Sequence, residues 1–354
     1  MSDLHKAFLQ RVKKKEAELG LSVLEEDPVS EDSKSAEEED TSQTDQTIVR
    51  EYESFKSEYF ITEEYANGSL SFKTYFMASK KPGPVLICGH GAGSSSMSFA
   101  ELCRNITDET ISVFLYDMRG HGGSHGELDF ALDTLVADFD FILCEFISRH
   151  HPSAVFLLGH SLGGAIFAKY VNTHPQGIVK GLILLDIVEE TAVSSLNVMP
   201  FFLEKLPSSF PSISKAIDWH LNFLLFNEKS ARLSLPDIFN LDTMTWKTDL
   251  KQTQPYWNTW FVGLSKNFLN FPKAKLLILA AHETLDKELI IGQMQGKYEL
   301  VVFNNSQKSG HFVHEDLPKH VALRVQEFIC KVAAPERYMR EHLGVTPKWG
   351  GKVT

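Results

Sequence analysis

Three features of this 354-residue sequence predict an α/β fold, a mostly parallel sheet with helices on both faces and a helical cap insertion. Short, uninterrupted apolar runs recur along the chain, as expected of strands buried on both faces. Helix-compatible stretches separate most of them. One interval of about 85 residues between two runs is far too long for a plain crossover and needs an inserted unit.

In chain order, residues 3–19 read as a short basic helix with Leu4, Phe8, Leu9, Val12 and Leu19 roughly on one side. Residues 25–46 are so rich in Glu, Asp, Ser and Thr that they cannot bury enough apolar surface to order themselves. Segment 1–50 is therefore expected to be a flexible acidic arm. Alternation in Ser71-Phe-Lys-Thr-Tyr-Phe-Met77 marks a first strand. Apolar strands follow at 85–88, 113–116, 155–158, 182–185, 276–279 and 298–303, with helices at 134–149, 164–173 and 319–332. The sheet domain should span 51–335, its cap about 189–272, and a tail 336–354. The cap interval carries Trp219, Phe223, Phe226, Trp246, Tyr256, Trp257, Trp260 and Phe261, which read mainly as cap core.

Composition narrows the function. Net charge is −11, but ten acidic residues against Lys34 and Arg50 concentrate it between Leu21 and Arg50. No basic stripe suggests nucleic-acid binding. No apolar stretch reaches the roughly 18 residues of a membrane-spanning helix. Cys88, Cys103, Cys144 and Cys330 lie in or beside apolar runs without paired spacing, as buried reduced thiols of a cytosolic or nuclear protein would. Neither a metal site nor an organic cofactor is implied.

Leu157-Leu-Gly-His-Ser-Leu-Gly-Gly164 contains G-x-S-x-G between an apolar strand and a helix. A sharp strand-to-helix turn lifts the Ser161 hydroxyl clear of the backbone, and Gly159 and Gly163 stand where a Cβ would crowd it. Serine needs a base. The loop after the last strand supplies Ser309-Gly-His-Phe-Val-His-Glu-Asp316, in which His311 is favoured over His314. Glycine-rich Cys88-Gly-His-Gly-Ala-Gly-Ser94 suits an oxyanion loop, with the Ala92 N–H paired to the Leu162 N–H after the nucleophile. A phosphate-cradling loop is excluded, because no G-K-[ST] follows. Asp117, Arg119 and His121 in Tyr116-Asp-Met-Arg-Gly-His-Gly122 are expected to brace the neighbouring loop. The acid that orients His311 stays open on these grounds: Asp186 ends a strand, while Asp286 and Glu283 lie in a later loop.

Longer strings are more specific. Leu-Leu-Gly-His-Ser-Leu-Gly-Gly-Ala-Ile, Gly181-Leu-Ile-Leu-Leu-Asp-Ile-Val-Glu-Glu-Thr191, Leu285-Asp-Lys-Glu-Leu-Ile-Ile-Gly-Gln-Met-Gln-Gly-Lys297 and Gly310-His-Phe-Val-His-Glu-Asp316 resemble protein phosphatase methylesterases, which have the α/β-hydrolase fold. Ser-Ser-Met-Ser-Phe-Ala and Tyr256-Trp-Asn-Thr-Trp-Phe-Val-Gly-Leu-Ser265 resemble the fungal branch. The resemblance runs from about residue 70 to 330. It implies a serine carboxylesterase that removes the methyl ester from the C-terminal leucine of the type 2A protein phosphatase catalytic subunit, releasing methanol. Its triad falls on Ser161, Asp186 and His311, which selects Asp186 over Asp286. The phosphatase tail is the implied partner, with no nucleic acid and no membrane. A generic small-ester hydrolase, or a phosphatase-binding protein acting mainly by binding, are the alternative readings.

Overall fold

The computed structural model describes residues 31–175, 177–280, 284–303 and 308–343. The apolar runs become strands because a continuous apolar segment can satisfy its backbone only in a ladder covered on both sides. Strands β1 (Ile61–Asn67), β2 (Leu70–Met77), β3 (Val85–Gly89), β4 (Ser112–Tyr116), β5 (Val155–His160) and β6 (Val179–Leu185) precede a small hairpin, β7 (Phe239–Asn240) and β8 (Thr245–Trp246). The last two strands are β9 (Ala274–Leu279) and β10 (Glu299–Val302). Eight of these form one sheet in the order β1-β2-β4-β3-β5-β6-β9-β10. It is parallel from β4 to β10, with β1 and β2 antiparallel at one edge. Every residue of β3, β4 and β5 is buried.

Helices Leu132–His150 and Leu162–Thr173 pack one face through Phe139, Ile142, Phe146 and Phe167. Helices Ala100–Arg104 and Pro318–Ala333 pack the other through Leu102, Val325 and Phe328. Register matters for the site. His160 pairs with Leu185, and Leu185 with Ile278, so the carboxyl ends of β5, β6 and β9 finish level with one another. Residues just beyond those ends share one rim, where open α/β sheets bind ligands.

Between β6 and β9 the chain leaves the sheet for helices Glu189–Leu196, Met199–Lys205, Ile213–Phe223, Glu228–Ile238 and Leu264–Asn270. Glu189 fixes this unit by accepting the Gly263 N–H at 2.8 Å and the Ser265 N–H at 2.9 Å. The indoles serve as core, with Trp257 bonding Thr253 and Trp260 bonding the Phe130 carbonyl. Trp246, Trp260 and Phe261 also face the cavity under the cap, so core and ligand wall are not separate sets here.

Two expectations change and one is untested. Residues 3–19 lie outside the described residues. The acidic stretch from residue 31 onward is not a free arm: it begins a helix, Glu31–Tyr59, that crosses the expected boundary at residue 50. Its second half orders because Ile48, Tyr52 and Phe55 are buried, Ile48 among cap residues including Phe210 and Ile217. Tyr52 donates to Asp237, and Arg232 pairs with Glu51 at 2.8 Å, both ties reaching cap helix Glu228–Ile238. Composition hid this because apolar residues are sparse in that helix. Cys144 is exposed, on the outer side of helix Leu132–His150, whereas Cys88, Cys103 and Cys330 are buried. Strand β1 escaped the sequence pattern because it is an edge strand that buries only Tyr65.

If the helix is a structural part of the cap, Ile48→Ala should lower the urea unfolding free energy by about 2–5 kcal/mol. A solvated arm would give no measurable change.

Candidate active site

At the end of β5 the chain turns into helix Leu162–Thr173 within one residue, and Ser161 takes φ 51° and ψ −117°. A non-glycine residue is rarely held at positive φ, so the surrounding packing must enforce it. It does so through glycines. A Cβ on Gly159 would lie 2.5 Å from the Gly163 carbonyl carbon, and one on Gly91 would lie 2.9 Å from the His160 ring. Helix and oxyanion loop meet backbone to backbone, with the Gly163 N–H donating to the His90 carbonyl at 3.1 Å.

Asp186, one residue past β6, also has positive φ, 49°. Its own N–H donates to the Ile278 carbonyl at 2.8 Å, and its Oδ1 accepts the Ala280 N–H at 2.7 Å. The other oxygen, Oδ2, lies 3.0 Å from His311 Nδ1. A carboxylate oxygen can only accept, so His311 carries its proton on Nδ1 and presents Nε2 as a base. Asp186 is 1% exposed and is compensated by these donors.

Asp286 does different work. It caps helix Lys287–Met294, accepting the Leu289 N–H at 2.9 Å, and takes the Ser265 hydroxyl at 2.5 Å. Glu283 lies outside the described residues. The geometry thus brings His311 to Asp186 and occupies Asp286 elsewhere. His314 is fully buried, its ring packed at a tilt between those of Phe99 and His160.

The oxyanion loop is braced by neutral histidines. His90 Nε2 accepts the Met118 N–H at 2.9 Å, so Nδ1 carries the proton and donates to the Gly91 carbonyl. His121 Nε2 accepts the Gly93 N–H at 3.0 Å while its Nδ1 donates to the Arg119 carbonyl. Burial lowers their pKa values, to about 3 for His90 and about 4 for His121, as a ring that must accept requires. Asp117 accepts from the Ser96 and Gly123 N–H groups, and Arg119 forms a two-pronged pair with Asp138 at 2.8 and 2.6 Å. These three residues are bracing, as expected. Among the described residues, the Ala92 and Leu162 N–H groups donate to no protein acceptor.

Ser161, Asp186, His311 and Ala92 share a cavity of about 270 Å³ under the cap, walled by Leu196, Met199, Phe202, Leu225 and Leu235. Two contributors were not legible beforehand. His160, the variable position of G-x-S-x-G, donates from Nε2 to the His311 carbonyl at 2.9 Å. Asp316 accepts the Gly310 N–H at 2.7 Å and the Phe226 N–H at 2.7 Å, tying the His311 loop to the cap. Spacing carries no signal for either. Among the described residues, no cluster of His, Cys, Asp and Glu could hold a metal ion, and no helix is long and apolar enough to cross a membrane.

A mostly parallel sheet whose strand–helix turn carries a serine into the same cavity as an Asp–His pair defines a serine hydrolase of the α/β-hydrolase fold. Residues 80–214 match the Hydrolase_4 family model, described as serine aminopeptidase S33. Solved structures with this architecture include E-2-(acetamidomethylene)succinate hydrolase (TM-score 0.62, 19% identity, covering 77% of this chain and 99% of that one). Another is the thioesterase domain from the curacin biosynthetic pathway (TM-score 0.57, 20% identity, 75% and 99% covered). Full-length relatives are more informative. The chain is 59% identical to protein phosphatase methylesterase 1 of Candida albicans, covering 100% of this chain and 99% of that protein. It is 43% identical to the Debaryomyces hansenii protein of that name over 100% of both, and 36% identical to the Schizosaccharomyces pombe one over 82% and 90%. The chain belongs to the protein phosphatase methylesterase family.

Two outcomes follow from this geometry. Asp286→Ala should cost about 1 kcal/mol or more through the lost cap and buried hydrogen bond, while the esterase activity per folded molecule stays near wild type. Acid should destabilise the fold. Burial lowers the pKa of His90, His121, His160, His220 and His314, so they take up protons in the unfolded chain near pH 6.5 but resist doing so in the fold. Their contribution is present above about pH 6.5 and is lost as pH falls toward about 4. Asp117 and Glu315, whose pKa values burial raises, act oppositely but are outnumbered. Urea midpoints measured from pH 7 to 4.5 should fall steadily.

Proposed function

We propose that this enzyme hydrolyses the methyl ester on the C-terminal leucine of the type 2A protein phosphatase catalytic subunit. The observation that carries the reading is the Asp186–His311 pair, 3.0 Å apart, on the wall of the cavity that holds Ser161. Its specificity rests on full-length relatives named protein phosphatase methylesterase. The apolar walls suit a leucine side chain.

In this mechanism His311 Nε2 takes the Ser161 proton as Oγ attacks the ester carbonyl carbon. The carbonyl oxygen becomes an oxyanion held by the Ala92 and Leu162 N–H groups. Asp186 stabilises the imidazolium. As the tetrahedral intermediate collapses, the C–O bond to the methoxy group breaks, His311 returns the proton, and methanol leaves. A water then loses a proton to His311 and attacks the acyl-enzyme. The leucine carboxylate departs and Ser161 is regenerated. The chemistry calls for no metal or organic cofactor.

Ser161→Ala should fold and lose about three orders of magnitude or more in kcat. Asp186→Asn should lose on the order of 10⁴-fold in kcat, since the imidazole then sits in the wrong tautomer. The decisive assay incubates carboxymethylated phosphatase with wild type and Ser161→Ala and follows methanol release. Rapid hydrolysis of short acyl esters without demethylation would replace the proposal with a generic esterase. Demethylation by Ser161→Ala would refute the nucleophile.

A further inference from the structure

The cavity wall carries a polar pair that the reaction above does not use. Glu315 stands on the short helix Val313–Asp316, four residues beyond His311, and Ser234 on cap helix Glu228–Ile238. Both line the cavity with Ser161 and His311. Glu315 is 3% exposed and Ser234 4% exposed, yet Glu315 Oε2 and Ser234 Oγ have no hydrogen-bond partner in the protein. Buried polar atoms left unmatched cost free energy, about 1–3 kcal/mol each, unless a ligand completes them. The neighbouring backbone is fixed: the Glu315 carbonyl accepts from Ser230 Oγ at 2.6 Å and Asn227 Nδ2 at 2.9 Å.

We propose that Glu315, with Ser234 beside it, binds the backbone amide of the ester-bearing residue and so selects peptide esters over simple esters. A protonated carboxyl offers an O–H donor next to a C=O acceptor. The ester C=O of that residue goes to the Ala92 and Leu162 N–H groups, so the carboxyl C=O accepts the residue's N–H while the carboxyl O–H is left for the Ser234 hydroxyl. The acid stands in the required state at neutral pH. Burial raises its pKa to about 8, the Ser234 hydroxyl pulls the other way, and Asp316 adds a smaller push upward. The Ser234 hydroxyl is near enough to exert that pull, although its Oγ closes no hydrogen bond. The terminal torsion of a glutamate is broad, so Oε2 turns toward the cavity at little cost. The walls around it are apolar, and there an unmatched amide would be expensive to bury.

This inference rests on the peptide-ester reading and has a test of its own. N-acetyl-leucine methyl ester and methyl 4-methylpentanoate share the isobutyl group and the ester, and only the first carries an amide. Wild type, Glu315→Gln and Glu315→Leu are compared on both by steady-state kinetics. Gln keeps the donor–acceptor pair, so it should hold KM on the amide ester within about threefold of wild type. Leu should raise that KM about tenfold, the loss of one hydrogen bond to substrate. It should leave kcat and the amide-free ester nearly unchanged. Equal losses on both esters, or Gln behaving like Leu, would overturn the assignment, as would a wild type that does not prefer the amide. If wild type prefers the amide ester and Leu removes the preference, the assignment holds even should methylated phosphatase not be a substrate.

Discussion

The site depends on one buried carboxylate. Asp186 sits at the end of β6 with positive φ, its backbone tied to β9 and one oxygen taken by the Ala280 N–H. The other oxygen is thereby left with one direction to point, and His311 lies along it. A solvated carboxylate could not do this, because water would compete for both oxygens and the imidazole would be free to rotate. The sheet positions the acid, the acid sets the tautomer, and the tautomer leaves Nε2 unprotonated.

Around that contact, close backbone packing and neutral imidazoles preorganise the remaining groups. Ser161 holds a strained φ because Gly159 and Gly163 let helix and sheet meet without side chains between them. His90 and His121 each accept one backbone N–H and donate to one carbonyl, clamping the oxyanion loop to the loop after β4. Protonating either ring would remove its acceptor and break the clamp. Histidines kept neutral by burial supply this rigidity without placing a positive charge in the loop.

Much of this was legible in the sequence. Period and apolar runs located the central strands, and G-x-S-x-G, with its flanks, located the turn. The order of elements located His311. Physics of spacing could not choose between Asp186 and Asp286, since both lie on the same sheet edge; the His311 contact of Asp186, and the Leu289 and Ser265 bonds that occupy Asp286, separate them. Helix Glu31–Tyr59 was obscured because three buried side chains, not its composition, hold its second half. The roles of His160, Asp316 and Glu315 depend on contacts between segments remote in sequence, and no local pattern encodes them.

Asp186 holds the His311 imidazole in the tautomer that leaves Nε2 unprotonated. Proton NMR with ¹⁵N-labelled histidine reads it directly, since an Nδ1–H bound to a buried carboxylate resonates far downfield and is shielded from exchange. Wild type and Asp286→Asn should both show that His311 signal, and Asp186→Asn should lose it. A signal that survives in Asp186→Asn, or vanishes in Asp286→Asn, would contradict the account.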